Sequence, residues 1–326
     1  MLVEKVRCLI LLPRVNLEII QLGVEMILEI IYKEQAVLKM SANNPPVKKV
    51  KPGSTVVFET YDCFSNQIQQ EDQPFSSVGW DQINPATGPL FVEGAEPGDI
   101  LKVEIIDIKI ASKGVMTTTP KLGVLKDIVT GETTKIISIE KDKAIFNEKL
   151  HIPIKPMIGV IGTAPADEEI PTGTPGDHGG NMDCKKIIKG SCLYLPVNVP
   201  GALLSMGDLH AVMADGEIVI CGLEIPGEVT IKVEVLTGES FPLPLLVSEE
   251  KLITIASAET LDEAAKLATK NMHSFLVQQL DLPIDVAGML LSLVGDLRIC
   301  QIVDPLMTAR MELPQWILDQ YNYKIR

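Results

Sequence analysis

The chain has 326 residues, 46% of them hydrophobic and 4% aromatic, with a formal charge of −14. That length and apolar fraction describe a globular protein with a sizeable core and exclude a disordered chain. The acidity argues against nucleic acid or an anionic membrane as partner, because both need basic patches, and so few aromatics leave little to stack bases on.

Residues 1–30 are apolar but broken by Lys5, Arg7, Pro13, Arg14, Glu18 and Glu25. The run Cys8 to Leu12 is too short for a signal-peptide core, and no small-residue cleavage site follows it. No stretch reaches the roughly 18 uncharged apolar residues of a membrane helix. The sequence therefore predicts an N-terminal extension over 1–30, with a native start near Met26, ahead of a domain over 31–326. Cys8, Cys63, Cys184, Cys192, Cys221 and Cys300 form no Cys-x-x-Cys pair, which predicts reduced thiols and a cytoplasmic setting, with Cys184–Cys192 the one disulfide considered.

From Ile31 to about Ile255 the chain reads as β. Pro52-Gly53, Pro97-Gly98 and Pro226-Gly227 each precede alternating apolar and polar residues, over Thr55–Thr60, Ile100–Ile106 and Val229–Val235. Period two after a turn marks half-buried antiparallel strands, and many such strands predict sandwich or barrel-like modules. Thr163 to Asp183 carries three prolines and four glycines with almost no apolar run, and predicts an ordered or lid-like functional loop. Near the C-terminus the period changes. Thr260-Leu261-Asp262-Glu263 has capping-box form and opens a helix through Leu280, with Ala264, Leu267, Ala268, Met272 and Leu276 on one face. Pro283 starts a second helix to about Val294 and Gly295 ends it, so the fold class is mainly β with a C-terminal helical hairpin. Exposed strand edges and the apolar helices predict a homo-oligomer.

Two of the four histidines lie in similar glycine-rich, acidic segments about thirty residues apart. The first is Gly176-Asp177-His178-Gly179-Gly180-Asn181-Met182-Asp183, and the second is Gly207-Asp208-Leu209-His210 running to Asp215-Gly216-Glu217. Imidazole among carboxylates suits a divalent metal, zinc first and calcium as the alternative. His178, Asp183 and His210 are candidate ligands, with Asp62, at the end of a strand, as a fourth. Asp177, Asn181 and Asp208 are candidates for orienting ligands or binding substrate. Glu224 sits in an apolar strand edge, where a carboxylate is costly unless paired or ligating. A backbone-bonded loop histidine is the alternative for His178, a turn aspartate for Asp62, and a hairpin turn for Asp215 and Glu217. His151 and His273 read as structural. Cys184 has acidic neighbours that disfavour a thiolate. No Gly-x-Ser-x-Gly elbow and no phosphate-binding loop is present.

These segments, together with Asn44-Pro45-Pro46, Phe58-Glu59-Thr60-Tyr61-Asp62, Asn84 to Ala95 and Ser292 to Arg298, resemble the acetamidase/formamidase family over roughly residues 31–315. Where relatives commonly read Gly-Asp-Gly-Glu, this chain has Ala214-Asp215-Gly216-Glu217. The resemblance implies a mostly β fold and hydrolysis of short linear amides, such as formamide and acetamide, to a carboxylate and ammonia. Joined to the residues, it predicts a metal-bound water activated at His178, Asp183 and His210, with Asp62 or Glu224 completing the site. Glu224 or Asp183 would move the proton, and His178 is a further catalytic candidate. A metal-dependent enzyme of other chemistry, such as a lyase, and a calcium-stabilised binding protein stand as alternatives.

Overall fold

The structure is a computed structural model that describes residues 29–325, together with the backbone of a short hairpin, Glu18–Gln21 with Val24–Ile27. Most of the expected N-terminal extension, and Met1 to about residue 17 in full, lies outside the described residues. Its end does not stand apart. Glu29–Ile31 pairs parallel with Thr55–Thr60, and Ile31 is fully buried.

The fold is mainly β, as the patterning predicts. Gly227–Leu236 lies between Ile100–Ile110 and Thr55–Thr60, so the three Pro-Gly-led strands are neighbours in one sheet of nine strands. Their inward residues, Phe58, Leu101, Val103, Val229 and Ile231, pack against Leu90, Ile158, Ile161, Leu204 and Leu209. The latter belong to a second sheet whose strands run in the order Gly179–Asn181, Met157–Gly162, Leu204–His210, Ala86–Val92 and Ala36–Val37, with Lys48–Val50 also on Ala86–Val92. Two sheets burying their inner faces against each other is the sandwich solution for amphipathic strands. A smaller sheet, Lys113–Thr118, Thr133–Glu140, Lys143–Ile145 and His151–Pro153, completes the β structure around the site.

The helical hairpin follows its signals closely. Helix α1, Leu261–Leu280, is capped by Thr260, whose side chain accepts the Glu263 amide, and helix α2, Ile284–Val294, starts after Pro283 and ends at Gly295. Such a cap contributes about 1 kcal/mol. Ala264, Ala268, Met272, Phe275 and Leu276 are the buried face; Leu267, expected there, is 37% exposed. Beyond the hairpin, Asp296–Gln301 and Met307–Pro314 return to the large sheet. Met307, Ala309, Met311 and Leu313 alternate with Thr308, Arg310 and Glu312, so these strands carry a period-two signal that the boundary near Ile255 overlooks. Ile284, Met289 and Leu293 on α2 remain exposed. Among the described residues no helix is long and apolar enough to cross a membrane.

Candidate functional site

Four neighbouring pieces of backbone bring the site together. Asp208 and His210 are two apart on the strand Leu204–His210 and face the same way, with Asp208 in left-handed conformation at φ 56°. Asp183, also left-handed at φ 41°, follows the strand Gly179–Asn181 and bonds through its amide to the Gly159 carbonyl. Glu217 closes the acidic turn after Ala214, and Glu224 is held by bridges to both Val115 and His210. Gly159 lies beneath the carboxylates. A methyl group there would fall 2.6 Å from both Asp183 Oδ1 and Asp208 Oδ2, so the site requires a residue without a side chain.

His210 is the hub. Its Nε2 lies 2.9 Å from Glu224 Oε1, 3.6 Å from Asp208 Oδ1 and 3.8 Å from Glu217 Oε1, while Nδ1 lies 3.8 Å from Asp183 Oδ1. Asp183, His210 and Glu217 each offer a ligand atom within 4.8 Å of the others, and Cys63, Asp208 and Glu224 do the same. All six are buried. Neither ring nitrogen of His210 has a hydrogen-bond partner, nor do Asp183 Oδ1, Asp208 Oδ1, Glu217 Oε2 and Glu224 Oε2; the Glu224 contact lies off the direction in which a ring N–H donates. Buried polar atoms are ordinarily satisfied, and these unpartnered carboxylate and imidazole atoms are donors that could hold a cation.

The same crowding shifts the acids. Burial pushes Asp183 up to about 7 and Glu224 up to about 8, with Asp208 adding to both, while His210 opposes each rise. Glu217 and Asp304 are held well above the carboxylate range, by burial first and Asp183 second. Burial alone would lower His210, but the Glu224 and Asp208 charges override it and raise it well above its usual value. Burial and the Glu224 charge likewise hold the Cys63 thiol well above its usual value.

Asp208, Glu217, Glu224 and Asp304 line a cavity of about 570 Å³, joined by Asn181, whose amide donates to Asp304 Oδ2 at 3.0 Å. Pro171, Thr172, Gly173 and Thr174 from the Thr163–Asp183 loop line it too, which gives that loop its place at the site.

The structure thus unites Asp183, Asp208, His210 and Glu224 and sets three expected residues apart. His178 is buried, but its ring lies against Gly176 and Gly180 and faces a different cavity, lined by Glu168, Glu169 and Asp177. Burial pushes it down to about 4. Asp177 is exposed there. The glycines that attract attention to His178 serve to fit its ring rather than to aim it at the carboxylates. Asp62 is the turn aspartate: its Oδ1 accepts the amides of Phe64 and Asn66, at 3.0 and 2.7 Å. Burial raises it to about 6. Glu217 was legible only as a hairpin turn, and Asp304 carried no motif at all; its signal is an acid after the apolar pair Ile302-Val303. Cys184 and Cys192 are both free thiols, so the disulfide considered between them is absent.

The sequence model of the Acetamidase/Formamidase family matches residues 34–171 and 166–251. The chain belongs to this family. It is 51% identical to an acetamidase of Bacillus halodurans whose crystal structure superposes with a TM-score of 0.89, covering 90% of this chain and all of the other. A structure described as a recombinant predicted acetamidase/formamidase, from Thermoanaerobacter tengcongensis, is 46% identical with a TM-score of 0.89, covering 91% of this chain and 99% of that one. A formamidase of Methylophilus methylotrophus is 31% identical over 251 residues, 58% of this chain and 61% of its own length, so the match spans about six-tenths of that relative.

Proposed function

We propose that this acetamidase/formamidase family member hydrolyses linear amides to a carboxylate and ammonia, with a divalent cation at His210, Asp183 and Glu217. The observation that supports this most is the buried, unsatisfied carboxylate cluster around His210, opening on the 570 Å³ cavity. A donor set of one imidazole and hard oxygens suits zinc; oxygens alone would suit calcium better. When bound, the cation would supply Lewis acidity, drawing a water's pKa toward neutrality and polarising the amide carbonyl.

The protein's own groups supply the remainder. Glu224, at about 8 and with Oε2 unpartnered, can hold or release a proton near neutral pH, as a group that takes a proton from water and returns it to departing nitrogen must. Its Oε1 accepts the Gly222 amide at 3.0 Å, which fixes the carboxylate while leaving Oε2 for the proton. Asn181, anchored on Asp304, presents an amide to the cavity that can orient the substrate's amide group.

The test is ammonia release from formamide and acetamide by the protein as purified, after chelation, and after zinc is restored, with metal content measured alongside. Loss on chelation and recovery with zinc are expected. Undiminished turnover in metal-free protein would overturn the cation's part, and no ammonia under any condition would overturn the amidase reading.

A further inference from the structure

The cavity is much larger than the short amides require, and beside Lys39, Asp81, Asn84, Thr172 and Thr174 much of its remaining lining is apolar. Phe64, Phe75, Trp80, Ile83, Ile220 and Val303 line the same cavity as the carboxylates. Phe75 packs edge-on against Phe64, with ring centroids 5.9 Å apart at 84°, and against Trp80, at 5.2 Å and 68°. Phe64 and Phe75 are buried, whereas Trp80 is 64% exposed. In a chain with only 4% aromatics, three of its rings are concentrated on this one cavity.

A volume of about 570 Å³ lies within the range of sites that enclose a drug-sized ligand. Formamide or acetamide would fill a small part of it and leave water against phenyl and aliphatic walls, an arrangement that apolar surface opposes. The edge-to-face series offers ring edges and faces at the spacing in which another aromatic ring packs favourably. Charge narrows the choice further. Asp81, Asp208, Glu217, Glu224 and Asp304 line the cavity, and among its described lining residues Lys39 is the one cation, already 3.5 Å from Glu169. An acyl group bearing a carboxylate would find no unengaged side-chain cation there to pair with.

We propose that the preferred substrate is a neutral primary amide with an aryl-bearing acyl chain, of the phenylacetamide type, whose ring lies among Phe64, Phe75 and Trp80 while its amide meets the carboxylates. This rests on the amidase reading above. The reaction is hydrolysis: water adds to the carbonyl carbon, the C–N bond breaks, and the products are the arylalkanoate and ammonium.

The test measures ammonia release by the zinc-loaded enzyme from formamide, acetamide, phenylacetamide and 3-phenylpropionamide, in the native protein and in Trp80→Ala and Phe75→Ala. Burying a ring in such a site is expected to raise kcat/KM for phenylacetamide at least about tenfold over acetamide, and each variant is expected to lower that ratio by about tenfold or more. Acetamide turned over as well as or better than the aryl amides would overturn the proposal while leaving the amidase reading in place. A second readout separates the two failures. In a Trp316→Phe background Trp80 is the one remaining tryptophan, and its emission is followed as phenylacetamide is titrated. No ammonia from any amide, together with a saturable change in emission, would end the amidase reading and keep the aryl-binding cavity. No ammonia and no saturable change would end both.

Discussion

Arg310 grips Asp215 with both ends of its guanidinium, Nη1 to Oδ1 at 2.8 Å and Nη2 to Oδ2 at 3.0 Å, from a position that is 1% exposed. Its Nε also donates to Glu312 Oε1 at 2.8 Å, and Nη1 reaches the Ile299 carbonyl. The pair clamps the Ala214–Glu217 turn to the strand Met307–Pro314. Glu217 therefore enters the carboxylate cluster from a fixed backbone, although its own residue type says only turn. Arg310 also overrides the burial of Asp215 and holds that carboxyl below its usual range. Arg310→Met is expected to destabilise the protein by about 3–5 kcal/mol, because it leaves the buried Glu312 without this partner and Asp215 with Lys185 alone. Urea unfolding checks this. Asp215→Asn, which keeps the shape and leaves Glu312 in place, is expected to cost about 1–3 kcal/mol. A larger loss from Asp215→Asn than from Arg310→Met would show that the guanidinium is not the anchor.

His210 and His178 stand in similar sequence settings and make opposite predictions. His210→Gln removes the nitrogen that stands among Asp183, Glu217, Asp208 and Glu224, and is expected to lower zinc affinity by about a hundredfold or more. His178→Gln is expected to keep one equivalent of zinc, since its ring faces the other cavity. Metal analysis after gel filtration against a zinc-buffered solution separates them. Loss of zinc from His178→Gln with retention in His210→Gln would place the ion elsewhere.

Gly159→Ala tests the carboxylate cradle without touching a ligand. The added methyl would sit 2.6 Å from Asp183 Oδ1 and Asp208 Oδ2 and 2.8 Å from the Asp208 carbonyl. At such distances the carboxylates must shift by several tenths of an ångström, and catalytic geometry tolerates little of that. Ammonia release is expected to fall by about a hundredfold while the variant still unfolds cooperatively on heating. Native activity in Gly159→Ala would mean that the two carboxylates are not held in a working arrangement by this contact.

The β strands and helices were legible because their signals are local. Val229, Ile231 and Val233 alternate with Thr230, Lys232 and Glu234, and the strand Gly227–Leu236 buries that first set. Thr260 and Glu263 cap α1 where the capping box places them. Asp183, His210 and Glu224 could be singled out as carboxylates and imidazole in glycine-rich or apolar contexts, where a buried charge is costly unless it is paired or ligating. The grouping itself was not legible. His178 lies in a turn and packs against Gly176 and Gly180, whereas His210 ends the strand Leu204–His210, a difference set by tertiary packing that the similar glycine-rich segments do not show. Asp304 reaches the site on a strand connection 121 residues after Asp183, brought there by the pairing of Met307–Pro314 with Lys251–Ala258.

His178 makes a final prediction through its pKa. Burial lowers it from 6.5 to about 4, and Nε2 has no hydrogen-bond partner to offset the loss of water. In the unfolded chain the imidazole takes a proton below about 6.5, whereas in the folded protein it stays neutral until about 4. The native state is therefore favoured in full above the unfolded value. As pH falls from 6.5 toward 4 the unfolded chain binds the extra proton and stability declines by about 1.4 kcal/mol per pH unit, to a total of about 3 kcal/mol. Below 4 both states are protonated and this histidine adds no further slope. His178→Gln cannot titrate, so its unfolding free energy is expected to fall less than the native protein's between pH 7.5 and pH 5, by about 2 kcal/mol. Urea midpoints at the two pH values check this, and because every other titrating group is common to both proteins, the difference isolates His178. Parallel pH profiles would mean that the ring is solvated in the folded protein and that its cavity is open to water on the side facing Asp177.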